Sequence, residues 1–334
     1  MDLELLKERA AILRNIRAYF DKKNYLEVDT PILSPDLIPE SCLEVFQTER
    51  LAAINSRNGQ GKPYWLVPSP EIWMKKLIAK HKTNMYQICK CFRNRESSGF
   101  MHSPEFTMLE YYTMNVDYKD SLLITEDIFD NLLCKADPAF CSAENYKTLA
   151  PPFVRLTMDE AFVNCAGFSL NEALEKNTLY EEACKCGISV PKETSNAVLY
   201  DLVFIHIVEP NLPKEKPAAI LDYPEIVPCL AALNENTAHN AKTRQRWELY
   251  VHGIEIANCF SEETDPIAVK DFFENEAVAK KTGFQIAHNI DENYWQIFKN
   301  FPRSSGVAMG LDRLIMAITG RKTIDSVLPF PMED

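Results

Sequence analysis

The chain has 334 residues, 46% hydrophobic and 25% charged, enough to bury one large core or two smaller ones, and its composition is not that of a disordered protein. Its formal net charge is −12. Nucleic-acid affinity comes chiefly from Lys and Arg neutralising phosphates, so extensive contact with a nucleic-acid backbone is not expected, whereas a local basic patch would suit a small anion or an acidic protein.

In chain order, Leu6, Ala10, Leu13, Ile16 and Phe20 recur every three or four residues and predict an amphipathic helix from Asp2, which can cap it, to about Lys23. These charged and apolar alternations do not resemble a secretion signal, and no apolar run is long enough to span a bilayer, so a cytoplasmic protein with no membrane partner is expected. The ten cysteines are scattered and read as free thiols. The Cys89/Cys91 and Cys184/Cys186 pairs lack a histidine cluster, so zinc is not expected.

LEVDTPIL reads as a strand ending at Pro31, and NSRNGQGKP as a turn before the strand YWLVP. Ser69 is expected to cap a helix that opens on Pro70 and turns Trp73, Leu77 and Ile78 inward. The strands MYQICKCF and EFTMLEYY follow, joined by a polar loop. In the second, a period of two puts Phe106, Met108, Glu110 and Tyr112 on one face and Glu105, Thr107, Leu109 and Tyr111 on the other. Each face thus carries a carboxylate, which must find a cation or line a cleft, since burying it unpaired is costly.

A helical insertion is expected at about 118–213, with a capping box at TMDE and a helix ending near Gly187. Strand character returns in PAAILDYP and WELYVHGIEIANCF; a helix from Pro266 to about Lys281 and the strand SSGVAMG, running into the helix LDRLIMAITG, complete the chain. Neither G-x-x-x-x-G-K-[ST] nor G-x-G-x-x-G occurs. The expected fold class is α+β, an antiparallel sheet flanked by helices with a helical insertion.

Three separated segments place charged residues where strands belong: CFRNRESSGFMHSPEFTMLEYY, WELYVHGIEIANCFSEE and GVAMGLDRL. Singly they read as a hairpin tip, a half-exposed meander and a helix start. Together they resemble the signature motifs of class II aminoacyl-tRNA synthetases, in detail those of the lysyl branch. YLEVDTPIL is similar to motif 1, the dimer-forming element. Phe92, Arg93 and HSPEFTMLEYY resemble motif 2, Gly310-Leu311-Asp312-Arg313 resembles motif 3, and GIEIANCFSE is similar to the lysyl-type stretch before it.

The resemblance implies a class II synthetase-like catalytic domain over 1–334 that activates an amino acid with ATP. It implies that Arg93 holds the α-phosphate and Arg313 the far phosphates, that Phe106 stacks on adenine, and that His102 touches adenine or phosphate, with Glu96, Ile256 and Gly310 also at the nucleotide. Attack of a carboxylate on the α-phosphate builds negative charge there, which suits arginines. Glu248 and Glu255, seven apart across an expected turn at 250–253, are expected to face each other in a hairpin and, as in the family, to hold Mg2+. For a lysine-like substrate, Ser69, Glu71, Glu110, Tyr112, Asn258 and Glu262 match substrate-binding positions. Glu262 and Tyr112 would meet the side-chain ammonium, Glu71 and Glu110 the α-amino end, and Asn258 the carboxylate.

A lysyl-tRNA synthetase carries an anticodon-binding barrel ahead of motif 1; here motif 1 begins near residue 25, so no anticodon domain and no tRNA acceptor are expected. The whole chain, including VEPNLPKEKP, resembles a freestanding lysyl-type branch of the family. This implies adenylation of (R)-β-lysine or lysine and transfer to a lysine of translation elongation factor P, by a homodimer. Ala308, where lysyl synthetases have Gly, adds a methyl at the α-amino end and bears on the choice between α- and β-amino acids. In the motif 2 loop, Glu96 lies one residue further from Arg93 than in the family and Ser103 replaces an Asn, leaving open whether Arg95 or Glu96 approaches ATP. Two other readings remain: a non-catalytic amino-acid-binding relative, which would be marked by loss of the phosphate and metal residues, and a truncated synthetase-like enzyme with another acceptor.

Overall fold

The computed structural model describes residues 3–52, 61–95, 101–139, 141–234, 242–283 and 286–332. In chain order the elements run α1 (Leu3–Lys22), β1 (Leu26–Glu27), β2 (Leu33–Ser34), β3 (Gln47–Arg50), β4 (Lys62–Leu66), α2 (Glu71–His81), β5 (Met85–Phe92) and β6 (Glu105–Met114). The middle of the chain forms α3 (Tyr118–Leu133), α4 (Ala143–Leu149), β7 (Val154–Thr157), α5 (Met158–Ala166), α6 (Leu170–Glu175), α7 (Leu179–Lys185), α8 (Asn196–Val203) and β8 (Ala218–Pro224). After them come β9 (Thr243–Val251), β10 (Ile254–Ser261), α9 (Pro266–Gly283), β11 (Ser304–Gly310) and α10 (Leu311–Ile318). No described helix is long and apolar enough to cross a membrane.

The chain forms two compact units, one of residues 1–115, 264–304 and 308–334, the other of residues 116–263 and 305–307. In the first unit β1 pairs in parallel with β5, and β5 pairs antiparallel with β6. The expected motif 1 strand is therefore reduced to two short pieces, β1 and β2, on either side of Pro31, which has no N–H to donate to a ladder. In α1 the buried stripe runs through Leu5, Ile12, Ile16 and Phe20, while Leu6, expected inside, is 37% exposed. In α2 the buried residues are Ile72, Met74, Lys75 and Ile78, so Ile78 turns inward as expected, whereas Trp73 and Leu77, also expected inside, are half-buried.

Helix α1 covers one face of the β5–β6 hairpin. Phe20 stacks on Tyr86 at 4.5 Å and lies 5.2 Å from Tyr111, which is opposite Tyr86 in the ladder. On the same face, Arg9 donates to Thr107 Oγ1 (3.0 Å) and pairs with Asp312 Oδ1 (2.7 Å), and Asp312 Oδ2 accepts the Thr107 N–H (2.7 Å). This carboxylate ties α1, β6 and the first turn of α10 together. Asp312→Ala leaves Arg9, only 11% exposed, without its counter-charge, and is expected to lower stability by about 3–5 kcal/mol in urea unfolding. A loss below about 1 kcal/mol would put this pair with ordinary surface ion pairs.

In the second unit β7 pairs in parallel with β8, and β8, β9 and β10 form antiparallel ladders. The expected antiparallel sheet is thus mixed, with one parallel pair in each unit. The insertion packs Met158, Phe162, Leu199, Tyr200 and Val203 against Ile220 and Tyr250 of the sheet. Its caps form as their sequence requires: Thr157 and Glu160 make a reciprocal capping box, and Gly187 takes a positive φ just after α7. All ten cysteines are free, with Cys42, Cys134 and Cys184 exposed.

Candidate active site

In the first unit the pleat of β6 divides its side chains as the sequence predicts. The α1-covered face carries Thr107, Leu109 and Tyr111; on its exposed margin Glu105 pairs with Lys90 at 3.3 Å, an ordinary surface ion pair. The other face carries Phe106, Met108, Glu110 and Tyr112, opposite Cys91, Cys89, Gln87 and Met85 of β5. Here Glu110, 2% exposed, accepts hydrogen bonds from Ser69 Oγ (2.6 Å) and Tyr112 OH (2.7 Å). Ser69 also accepts the Glu71 N–H at 3.1 Å, so it contributes to the start of α2, although the capping residue itself is Pro70. Glu71 pairs at 2.5 Å with Lys75, one turn on and fully buried.

These contacts bring Ser69, Glu71, Glu110 and Tyr112 into one cluster. Burial and then the Glu71 carboxylate push the Glu110 carboxyl up to about 8, against the lowering effect of the Ser69 and Tyr112 hydrogen bonds and of Lys75. Glu40, missed in the sequence, behaves alike: burial and Glu71 raise it to about 7, while Arg93 and Lys280 pull it down. Such a cluster is short of positive charge, and an ammonium ion would supply it.

Arg93 ends this face of the hairpin. Its guanidinium carbon lies 5.2 Å from the centre of the Phe106 ring, and its Nε is buried without a hydrogen-bond partner among the described residues. A buried guanidinium donor in that state is suited to an anion. Arg313, in the first turn of α10, donates from Nε to the Met101 carbonyl at 3.1 Å, next to the half-buried His102. Ala308 and Gly310 lie at the end of β11, where the strand enters α10. Glu96 lies outside the described residues.

The second unit holds the remaining candidates on the β9–β10 hairpin. Its turn is tighter than expected: His252 and Gly253, with φ of 53° and 79°, make a two-residue connection, and the register shifts between Glu255 and Ala257. Glu248 therefore faces Asn258, and Glu255 faces Tyr250, which corrects the expectation that the two glutamates face each other. They remain on one face, one cross-strand pair apart, with Tyr250 donating to Glu248 Oε2 at 2.7 Å. Both carboxylates raise the Tyr250 hydroxyl further above its usual range, burial being the main cause. Ile256, at the irregularity, and Glu262, just past the end of β10, are buried. Among the described residues no group of three or more His, Cys, Asp or Glu side chains is placed to hold a metal, so a divalent cation at Glu248 and Glu255 would need further oxygens from a nucleotide or water.

Sequence reasoning also missed Lys75, Tyr250 and Arg246. Lys75 carried a signal, four residues after Glu71 on a helix, and Arg246 and Tyr250 sit two residues either side of Glu248 on a strand.

The chain matches the family model for class II tRNA synthetases (D, K and N) over residues 3–334. It is 34% identical over 333 residues to the elongation factor P–(R)-β-lysine ligase of Vibrio atlanticus, covering 98% of this chain and 96% of that protein. It is also 33% identical over 330 residues to the protein so named in Pectobacterium atrosepticum and 34% identical over 332 residues to that in Buchnera aphidicola, covering 95% and 96% of those proteins.

Proposed function

Because the chain belongs to the class II tRNA synthetases of the D, K and N group, we infer that it is an ATP-dependent ligase that activates (R)-β-lysine, or lysine, and transfers it to a lysine side chain of translation elongation factor P. The observation that carries the reading from the geometry is Arg93: a guanidinium set against an aromatic ring with a buried donor left for an anion, on the same strand pair as the Glu110 cluster.

In the first step the amino-acid carboxylate attacks the α-phosphorus of ATP, an aminoacyl-adenylate forms, and pyrophosphate leaves. Arg93 neutralises the charge that builds on the α-phosphoryl oxygens, Arg313 holds the outer phosphates, and Phe106 offers its ring to adenine, with His102, Glu96, Ile256 and Gly310 around the nucleotide. Glu71 and Glu110 bind the amino end near Ser69 and Ala308, Tyr112 and Glu262 the distal ammonium, and Asn258 the carboxylate. Glu248 and Glu255 would hold Mg2+, which shields phosphate charge when bound. In the second step the ε-amine of the acceptor lysine attacks the acyl carbon, AMP leaves, and an amide forms. Neither step needs a covalent enzyme nucleophile; both depend on positioning and charge neutralisation.

We further propose that the whole chain acts as one catalytic domain, works in the cytoplasm as a homodimer and does not use tRNA. Leu26, Ile32 and Leu33, of the motif 1 stretch, are 54%, 39% and 48% exposed, which supports a second copy covering them. Pyrophosphate exchange with (R)-β-lysine, α-lysine and unrelated amino acids tests the first step, and label transfer to purified elongation factor P against tRNA tests the second. Exchange confined to lysine-type acids and label on the protein are expected. Absence of any amino-acid-dependent exchange would leave the non-catalytic reading, and label on tRNA would overturn the acceptor.

A further inference from the structure

Arg246 lies on β9 two residues before Glu248, so the pleat puts both side chains on one face. Its side chain is 14% exposed and is held between two aromatic rings, its guanidinium carbon 4.3 Å from the centre of Tyr223 and 5.5 Å from that of Phe260. From there Nη2 donates to Glu248 Oε1 at 2.5 Å and Nε donates to Asn258 Oδ1 at 3.2 Å. Glu248 and Asn258 are themselves a cross-strand pair.

A guanidinium has only donors, so the Asn258 atom turned towards it has to be the amide oxygen. The amide nitrogen is then turned away, and its two N–H groups are left for an acceptor. Held this way, Asn258 turns its donors away from Arg246, and donors suit a carboxylate or carbonyl oxygen and not an ammonium. The same guanidinium fixes one oxygen of Glu248, and Tyr250 fixes the other. A lysine at 246 would keep the positive charge but not the planar fork that reaches both partners at set angles.

We propose that Arg246 is a positioning residue that locks the Asn258 amide as a donor to the substrate's carboxyl group and couples that contact to the orientation of Glu248. The proposal rests on the assignment of Asn258 and Glu248 to substrate and metal given above. Arg246→Lys is expected to raise the KM for the amino acid roughly 10- to 100-fold in pyrophosphate exchange, the loss of a hydrogen bond to a charged group, with a much smaller change in the KM for ATP. Asn258→Ala should have a similar effect in the native protein and add little in the Arg246→Lys background, because both changes remove one contact. Asn258→Asp, which keeps an oxygen towards Arg246 but removes the donors, should bind the amino acid no better than Asn258→Ala. In the substrate-free protein the Asn258 side-chain amide, followed by NMR, should be fixed in the native chain and averaged in Arg246→Lys.

Single-mutant factors that multiply in the double mutant, Asn258→Asp binding like the native protein, or an equally fixed amide in Arg246→Lys would each overturn the proposal. If the native protein shows no amino-acid-dependent exchange, the catalytic reading fails, while the NMR comparison still decides the orientation. Should Arg246→Lys not fold, the Asn258→Asp binding measurement decides it.

Discussion

Replacing Arg93 by alanine is expected to slow amino-acid-dependent pyrophosphate exchange about a thousandfold, the scale on which preorganised donors and arginines act at acyl and phosphoryl centres. The adenylate-forming step concentrates charge on one phosphoryl group, and Arg93 is fixed at the end of β5 by its own backbone, whose N–H bonds to the Pro104 carbonyl at 3.0 Å. Its guanidinium is oriented before any ligand arrives by the Phe106 ring. Arg93→Lys restores the charge as a point but not the fork, so recovery should be partial, and the loss should fall on kcat more than on the KM for the amino acid. Activity within tenfold of the native protein in Arg93→Ala would assign the α-phosphate to another residue.

Glu110→Gln is expected to raise the KM for the amino acid by about a hundredfold or more, as the loss of a buried charge pair does, and to remove a pH dependence that the native enzyme should show. The carboxyl is held up to about 8 by burial and by Glu71, so at neutral pH it is largely protonated in the free protein. A bound ammonium favours the ionised form, so binding releases a proton. Apparent affinity should rise as pH increases and level off above about 8, with up to tenfold per pH unit below it. The stability contribution has the opposite sign: a carboxyl whose folded-state value lies above its unfolded value destabilises the fold as pH rises from the ordinary carboxylate range to about 8. Urea unfolding of Glu110→Gln should lack that decline. A native KM that is flat between pH 6 and 8 would separate Glu110 from the ammonium.

Much of this was legible in the sequence, for a physical reason: a strand's pleat and a helix's turn are local, so residues two or four apart declare their faces without knowledge of the fold. The division of EFTMLEYY followed from that alone, and α1 on one side of it and the Glu110 cluster on the other obey it. The capping box at Thr157 and Glu160 was equally local. In α1 and α2 the sequence placed Ile16, Phe20 and Ile78 inward correctly but chose Leu6 over Leu5 and Trp73 over Ile72, because several apolar residues compete for the inward face and only packing decides among them.

What the sequence by itself determined was the set of side chains and the strands that carry them. The family motifs stand in the chain, and the phosphate- and ammonium-binding chemistry they imply needs only their residue types. Tertiary structure decided how those side chains are held. The Glu248–Asn258 pairing depends on one turn closing at His252 and Gly253 and on an irregularity after Glu255, a shift of register too small to read from alternation. Asp312 meets Arg9 from the far end of the chain, and Glu40 acquires a raised carboxyl only because Glu71 and buried surroundings come to it. Burial and long-range charge do not exist until the chain has folded, which is why the sequence named the groups and the fold set their protonation and partners.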